Sequence, residues 1–327
     1  MNYQKMIEIN KKKIDLWANV GSRAAFGLAV LELEKTMEEL FIVTCDVSTS
    51  AGLDRFRKKV PDKYVDVGIS EQNMIGVASG LSTEGFKVIT TTFAPFQTLR
   101  CCEQIKVNLG YMKTKITMVG LASGLVLGEL GFTHCSIEDV GVLRSIPNLA
   151  IVSPADSLEV VKALEASLNY NKSVYIRLTG GAPNPSIYKE DYKFEIGKSI
   201  KLHEGKDIVI FSCGTMIHNC LEAVQILNKK NISCRVVNMH TIKPIDVDAI
   251  KDAARLSKLL VSVEEHNIIG GLGSAISEEL SKIKDSPKLL RIGINDQYSK
   301  GGSYKYLQEI HELLPEQISK KVIEGII

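Results

Sequence analysis

A carboxylate, two phenyl rings and a histidine are the side chains of this chain best placed to do chemistry together. Glu71 stands in Asp66-Val-Gly-Ile-Ser-Glu-Gln-Asn-Met74, where a strand end gives way to a helix carrying Gly76, Ala78, Ser79 and Gly80. Such a helix can lie close to another helix or a flat ligand, because no bulky side chains hold the backbones apart. Phe93 and Phe96 follow in Thr91-Thr-Phe-Ala-Pro-Phe-Gln97, at the end of another apolar strand. His134 closes a glycine-bearing loop, Gly128-Glu-Leu-Gly-Phe-Thr-His134. An acid beside an aromatic plate suits a flat nitrogenous ring, with the acid bonding a ring nitrogen and the plate covering one face.

Each of these residues also has a plainer reading. A glutamate at a helix N-terminus gains about 0.3–1 kcal/mol from the macrodipole without any chemistry. Aromatics after a strand usually pack, and Pro95 between the two rings means that they need not share a face. A lone histidine is usually a satisfied structural one, whereas a loop histidine after glycines is better placed to meet a ligand. Gly270-Gly-Leu-Gly-Ser-Ala lacks the third glycine of a dinucleotide fingerprint and reads as a tight strand-to-helix turn. The sequence has no P-loop, no H-E-x-x-H pair and no G-x-S-x-G elbow.

The elements that must position these groups alternate along the chain. Apolar β-rich runs at 40–44, 86–92, 116–120, 150–153 and 174–177 are separated by helical stretches at 21–38, 73–84 and 157–169. Asp156-Ser-Leu-Glu159 reads as a capped helix start. Thr179-Gly-Gly-Ala-Pro-Asn-Pro-Ser186 is rich in turn formers and marks a boundary, after which the alternation restarts. Strands at 207–212, 234–238, 259–264 and 288–293 then alternate with helices at 216–229, 246–256 and 271–282. Strands buried on both faces and separated by helices predict an α/β fold of two doubly wound, mainly parallel domains, spanning 1–185 and 194–327.

The 327 residues suffice for two cores, and 45% hydrophobic with 24% charged residues is ordinary globular composition. Forty basic residues against 38 acidic give a net charge of +2, so no nucleic-acid footprint is expected, and Lys11–Lys13 reads as a solvated run. No apolar window approaches the ~18 residues of a membrane span, and the first residues lack the apolar core of a signal peptide. Seven cysteines without a C-x-x-C pair argue against a disulfide framework or a zinc cluster, and point to a reducing cytoplasm.

Taken together these segments resemble the C-terminal half of transketolases, meaning the pyrimidine-binding domain followed by the C-terminal domain. The resemblance covers essentially the whole chain. The Asp66–Met74 run is similar to the family's segment with the catalytic glutamate, which makes Glu71 that residue. Thr92-Phe-Ala-Pro-Phe96 resembles its aromatic segment, implying Phe96 on the aminopyrimidine of thiamine diphosphate with Phe93 beside it. Gly131-Phe-Thr-His-Cys-Ser-Ile-Glu-Asp139 resembles its Gly-x-Thr-His segment, so that His134 faces substrate. Arg144-Ser-Ile-Pro-Asn148, Ser153-Pro-Ala-Asp156 and Asn238-Met-His-Thr-Ile-Lys-Pro-Ile-Asp246 continue the likeness. The resemblance also puts Arg23, Ser50 and Arg177 where the family holds a sugar-phosphate tail, a task that suits arginine's planar fork.

The family also needs a domain with a Gly-Asp-Gly…Asn signature that grips the diphosphate through Mg²⁺, and no Gly-Asp-Gly occurs here. The resemblance therefore implies a separate diphosphate-binding subunit, an α2β2 heterotetramer, and Mg²⁺ held mainly by the partner. Leu130 and Ala122 stand where sugar-phosphate enzymes carry an aspartate and a histidine, so the expected donor is a deoxy, amino or otherwise modified ketose. A 2-oxoacid dehydrogenase E1 β subunit, a deoxyxylulose-phosphate synthase half and a non-catalytic α/β binding module remain alternatives at this point.

Overall fold

The computed structural model describes residues 6–180, 185–257 and 259–326. Part of the turn-rich boundary, 181–184, lies outside the described residues. The apolar runs form two sheets. The first contains β1 (Leu40–Thr44), β2 (Tyr64–Asp66), β3 (Lys87–Phe93), β4 (Ile116–Ser123), β5 (Leu149–Val152) and β6 (Ser173–Thr179). The second contains β7 (Ile200–His203), β8 (Ile208–Ser212), β9 (Cys234–Asn238), β11 (Leu259–Asn267) and β12 (Lys288–Ile294), while β10 (Thr241–Lys243) crosses back to the first. The strand orders are β10-β5-β6-β4-β3-β1-β2 and β12-β11-β8-β9-β7. Only β10 against β5 and β7 against β9 run antiparallel among the described residues. Strands β4, β6 and β8 are buried throughout, which is why they read as continuous apolar runs.

The helices follow local signals with two departures. The first spans Lys11–Leu33, not 21–38: Asn10 caps it by accepting from the Lys13 amide, and Ile14 and Trp17 are already buried on its face. Gly21 (φ 79°) breaks the helix internally rather than starting it. The Glu71–Thr83 helix begins two positions before the expected start at 73. The Ser157–Asn169 helix starts as read, with the Asp156 carboxylate accepting the Glu159 amide at 2.8 Å. The strand end expected before Glu71 is β2; unforeseen are the short strands β7 and β10 and the terminal helices Tyr304–Ile310 and Pro315–Ile326.

The two halves are fastened by buried polar contacts. The Asn238–Asp246 run leaves the second sheet and pairs its β10 with β5. The Ser153 amide donates to His240 O at 2.7 Å, and Lys243 Nζ donates to Arg144 O at 2.8 Å and to Ile146 O. Arg177 sits at the centre of this seam. Its Nε donates to Asp139 Oδ2 at 2.8 Å, and its Nη2 donates to Ser136 O at 3.0 Å and to Glu265 O in the later half at 2.9 Å. Tyr175 donates to the same Asp139 oxygen at 2.8 Å. Burial pushes the Tyr175 phenol well above its usual range, and the Asp139 charge adds to that. Because Asp139 and Arg177 are both buried, removing one strands the other's charge. Arg177→Met is expected to cost about 3–5 kcal/mol of unfolding free energy, measured by urea titration; a loss below about 1 kcal/mol would contradict this account of the seam.

Candidate active site

The carboxyl ends of β1, β2, β3 and β4 form one edge of the first sheet, the side on which open α/β sheets bind ligands. At the end of β2, Asp66 Oδ1 accepts the amides of Asp46 (2.9 Å) and Gly68 (3.0 Å), and the Val67 amide donates to Thr44 O. Gly68 takes a positive φ of 71°, which glycine adopts freely. The resulting turn delivers Glu71 as the first residue of its helix, only 4% exposed.

Phe93 ends β3, and Pro95 lies in the first turn of the short Ala94–Thr98 helix. Gln97 pins that helix by donating to Thr90 Oγ1 at 2.8 Å. The rings of Phe93 and Phe96 stand perpendicular, 6.3 Å apart, so they do not share a face. His134 meets both edge-on, at 6.2 Å from Phe93 and 5.3 Å from Phe96. Arg100, which the sequence reading did not include, completes the cluster. Its Nη1 donates to Glu71 Oε1 at 2.7 Å, and its Cζ lies 3.9 Å from the Phe96 ring centroid. The signal missed was an arginine one helical turn after Phe96, a spacing that can place its guanidinium over the ring.

The loop carrying His134 is held from the other half of the chain. Gly124 and Ser136 form a β-bridge across its base, and the Leu125 amide donates to Glu265 Oε1 at 2.7 Å. Leu125, Cys135 and Ile137 belong to the same apolar cluster as Val224 and Leu307. Gly302 donates to Gly128 O at 2.9 Å, and Phe132 packs its ring 5.2 Å from that of Tyr298. His134 itself is half-buried, with Nδ1 3.0 Å from Thr133 Oγ1. Burial pushes the thiols of Cys45 and Cys101 up to about 12, and the Glu71 charge adds to both, so neither is a thiolate at neutral pH. Among the described residues no group of three or more His, Cys, Asp or Glu side chains is placed to hold a metal ion.

The remaining expected residues divide. Arg23 and Ser50 line a hollow of about 190 Å³ with Gly21, Ser22, Thr49 and Gly52, and Arg23 Nη1 lies 3.5 Å from Ser50 O. A Cβ on Gly27 would come within 2.1 Å of Gly52 O, so only glycine allows the first helix to approach this turn so closely. Arg177 is not at that hollow. The expectation that it holds a phosphate tail is corrected by its 3% exposure and its bonds to Asp139, Ser136 and Glu265, which engage its fork internally. Leu130 is exposed on the His134 loop, and Ala122 is buried near the end of β4.

The fold is a pair of doubly wound α/β units, with a buried acid, two phenyl rings and a loop histidine at one sheet edge. Comparison with known proteins narrows this to a family. Residues 18–183 match the transketolase pyrimidine binding domain, and residues 197–318 match the transketolase C-terminal domain. The chain belongs to the transketolase family. It is 35% identical to an apulose-4-phosphate transketolase subunit of Phocaeicola vulgatus, covering 94% of this chain and 98% of that one. It is 34% identical to a 6-deoxy-6-sulfo-D-fructose transketolase subunit of Clostridium sp. strain MSTE9, covering 90% and 91%. A solved split-gene transketolase, an inactive beta4 tetramer, superposes with a TM-score of 0.84 at 33% identity, covering 94% of this chain and 98% of that one. The oxoacid dehydrogenase, synthase-half and binding-module readings give way to this assignment.

The buttressing of the histidine loop can be tested apart from catalysis. A Cβ on Gly128 would sit 2.1 Å from Leu307 Cδ1 and 2.5 Å from Gly302 O. Gly128→Ala is therefore expected to lower stability by about 1–3 kcal/mol and to speed amide exchange across residues 128–135. Unchanged exchange in that loop would contradict the buttress.

Proposed function

We propose that this chain is the pyrimidine-binding half of a split transketolase dependent on thiamine diphosphate, active with a separate diphosphate-binding subunit. The observation that carries the reading is the Glu71 carboxylate and the Phe96 ring, held so that one flat N–H donor reaches both. The guanidinium of Arg100 supports this reading, since it is planar, bonds the acid and lies over the ring. An aminopyrimidine with a proton on N1′ has the same two properties. When bound, thiamine diphosphate supplies the electron sink that lets two carbons pass between sugars.

This chain's residues prepare that chemistry. Glu71, enclosed and fixed at its helix start, would share a proton with the ring nitrogen N1′, an acceptor in the neutral ring, and would accept from N1′–H once the proton lies on that nitrogen. Phe96 stacks on the ring, worth roughly 0.5–1.5 kcal/mol beyond burial. Phe93 sets the edge against which His134 rests, and His134 offers a ring nitrogen to a substrate oxygen from a loop braced by the C-terminal half. The hollow at Arg23 and Ser50 suits an anionic substrate tail. With a leucine and an alanine at 130 and 122, the donor ketose is a modified one; relatives named for apulose 4-phosphate and 6-deoxy-6-sulfofructose support that class.

The partner reading rests on the surface around Glu71. Ile69, Leu99, Tyr111 and Met112 are exposed, and nothing lies within 4 Å of where side chains on Gly76 and Gly80 would point. A second polypeptide covering this face makes an α2β2 assembly and brings Mg²⁺ with the diphosphate. All seven cysteines are free, in keeping with a cytoplasmic location, and no described helix is long and apolar enough to cross a membrane. In the assembled complex Glu71→Ala is expected to lower two-carbon ketol transfer by about 10²–10⁴ in kcat while the melting temperature changes little. Full transfer by that variant would refute the assignment.

A further inference from the structure

Arg100 does more than show that the ring seat has the right shape. We infer that Arg100 is a built-in competitor for the aminopyrimidine seat: its guanidinium neutralises Glu71 and covers Phe96 until the cofactor ring displaces it. This inference rests on the proposed transketolase reading and adds a gate to that site.

Three observations carry it. The first is chemical mimicry. The guanidinium presents N–H groups in a plane, as an aminopyrimidine protonated at N1′ does, with Nη1 2.7 Å from Glu71 Oε1 and Cζ 3.9 Å from the Phe96 centroid. Ring and guanidinium cannot occupy the same carboxylate oxygen and the same aromatic face together.

The second observation is the need for a partner. Glu71 is 4% exposed, and a carboxylate so enclosed is costly to leave unpaired. Among the described residues Arg100 is the cation paired with it. The chain without cofactor is thus stabilised by a contact that the cofactor must break.

The third is freedom to leave. The Arg100 side chain is 42% exposed, whereas its backbone is tied down: its carbonyl accepts from Gln72 Nε2 at 3.1 Å, and its amide donates to Pro95 O at 3.4 Å. A rotation of the side chain alone clears the seat without moving the helix that carries Phe96. A ligand that binds only the cleared state has its apparent dissociation constant raised by the inverse of that state's population.

The test uses the assembled complex stripped of cofactor and titrated calorimetrically with thiamine diphosphate and excess Mg²⁺, comparing wild type, Arg100→Met and Arg100→Lys. Arg100→Met, which removes the cation and the planar donor, is expected to tighten binding about tenfold. Arg100→Lys keeps the charge but loses the plane, and is expected to fall between the two, so it carries the test if the methionine variant does not fold. In the chain without cofactor, Arg100→Met is expected to lower the melting temperature in the wild-type background but much less in a Glu71→Gln background. Equal or weaker cofactor binding by both variants would overturn the gate while leaving the transketolase reading intact. No binding by any of the three proteins would overturn that reading and the gate with it.

Discussion

A buried carboxylate must be answered by a cation or a donor, and that constraint organises the active edge of this molecule. Glu71 lies at the start of a helix, behind a turn built by Asp66 and Gly68, where little solvent reaches it. In water such a group would be hydrated and chemically idle. Enclosed beside an aromatic face, it favours a flat group bearing N–H bonds, and its burial strengthens the bond that it makes. Phe96 turns that requirement into shape selection, because only a planar partner can meet both the acid and the ring.

The second half of the chain serves the first. Arg177 ties Asp139 to the carbonyls of Ser136 and Glu265, and Glu265 in turn accepts the Leu125 amide at the base of the His134 loop. The loop's apolar residues Leu125, Cys135 and Ile137 sink into the core of the C-terminal half. A strap through β10 closes the same seam on the other side. A loop histidine that would otherwise move freely is thereby held against Phe93 and Phe96. The C-terminal half thus has a mechanical role at this edge, bracing the loop that carries His134.

Much of this arrangement could be read from the sequence because parallel α/β topology converts order along the chain into neighbourhood in space. Glu71, Phe93 and His134 follow β2, β3 and β4, and residues at the carboxyl ends of strands in one such sheet share an edge. The fully buried strands and the Ser157–Asn169 and Met216–Asn228 helices were legible for the same reason, their apolar patterns being unbroken. What escaped were features set by tertiary partners. Arg100 meets an acid 29 residues earlier, and no local pattern announces that pairing. Arg177 was misread because a guanidinium fork suits a buried carboxylate and carbonyl oxygens as well as it suits a phosphate. The three-residue strand β10 owes its existence to its neighbour β5 and not to propensity. Gly21 was read as a helix start, whereas the cap at Asn10 that starts the helix was hidden in a polar run.

The central claim is that the Glu71 carboxylate and the Phe96 ring together hold the aminopyrimidine of thiamine diphosphate. A structure of the complex with the diphosphate-binding partner, cofactor and Mg²⁺ tests it most directly. The account predicts the ring stacked on Phe96, with N1′ within about 3 Å of a Glu71 oxygen. A ring seated elsewhere, with Glu71 making no bond to it, would contradict the account.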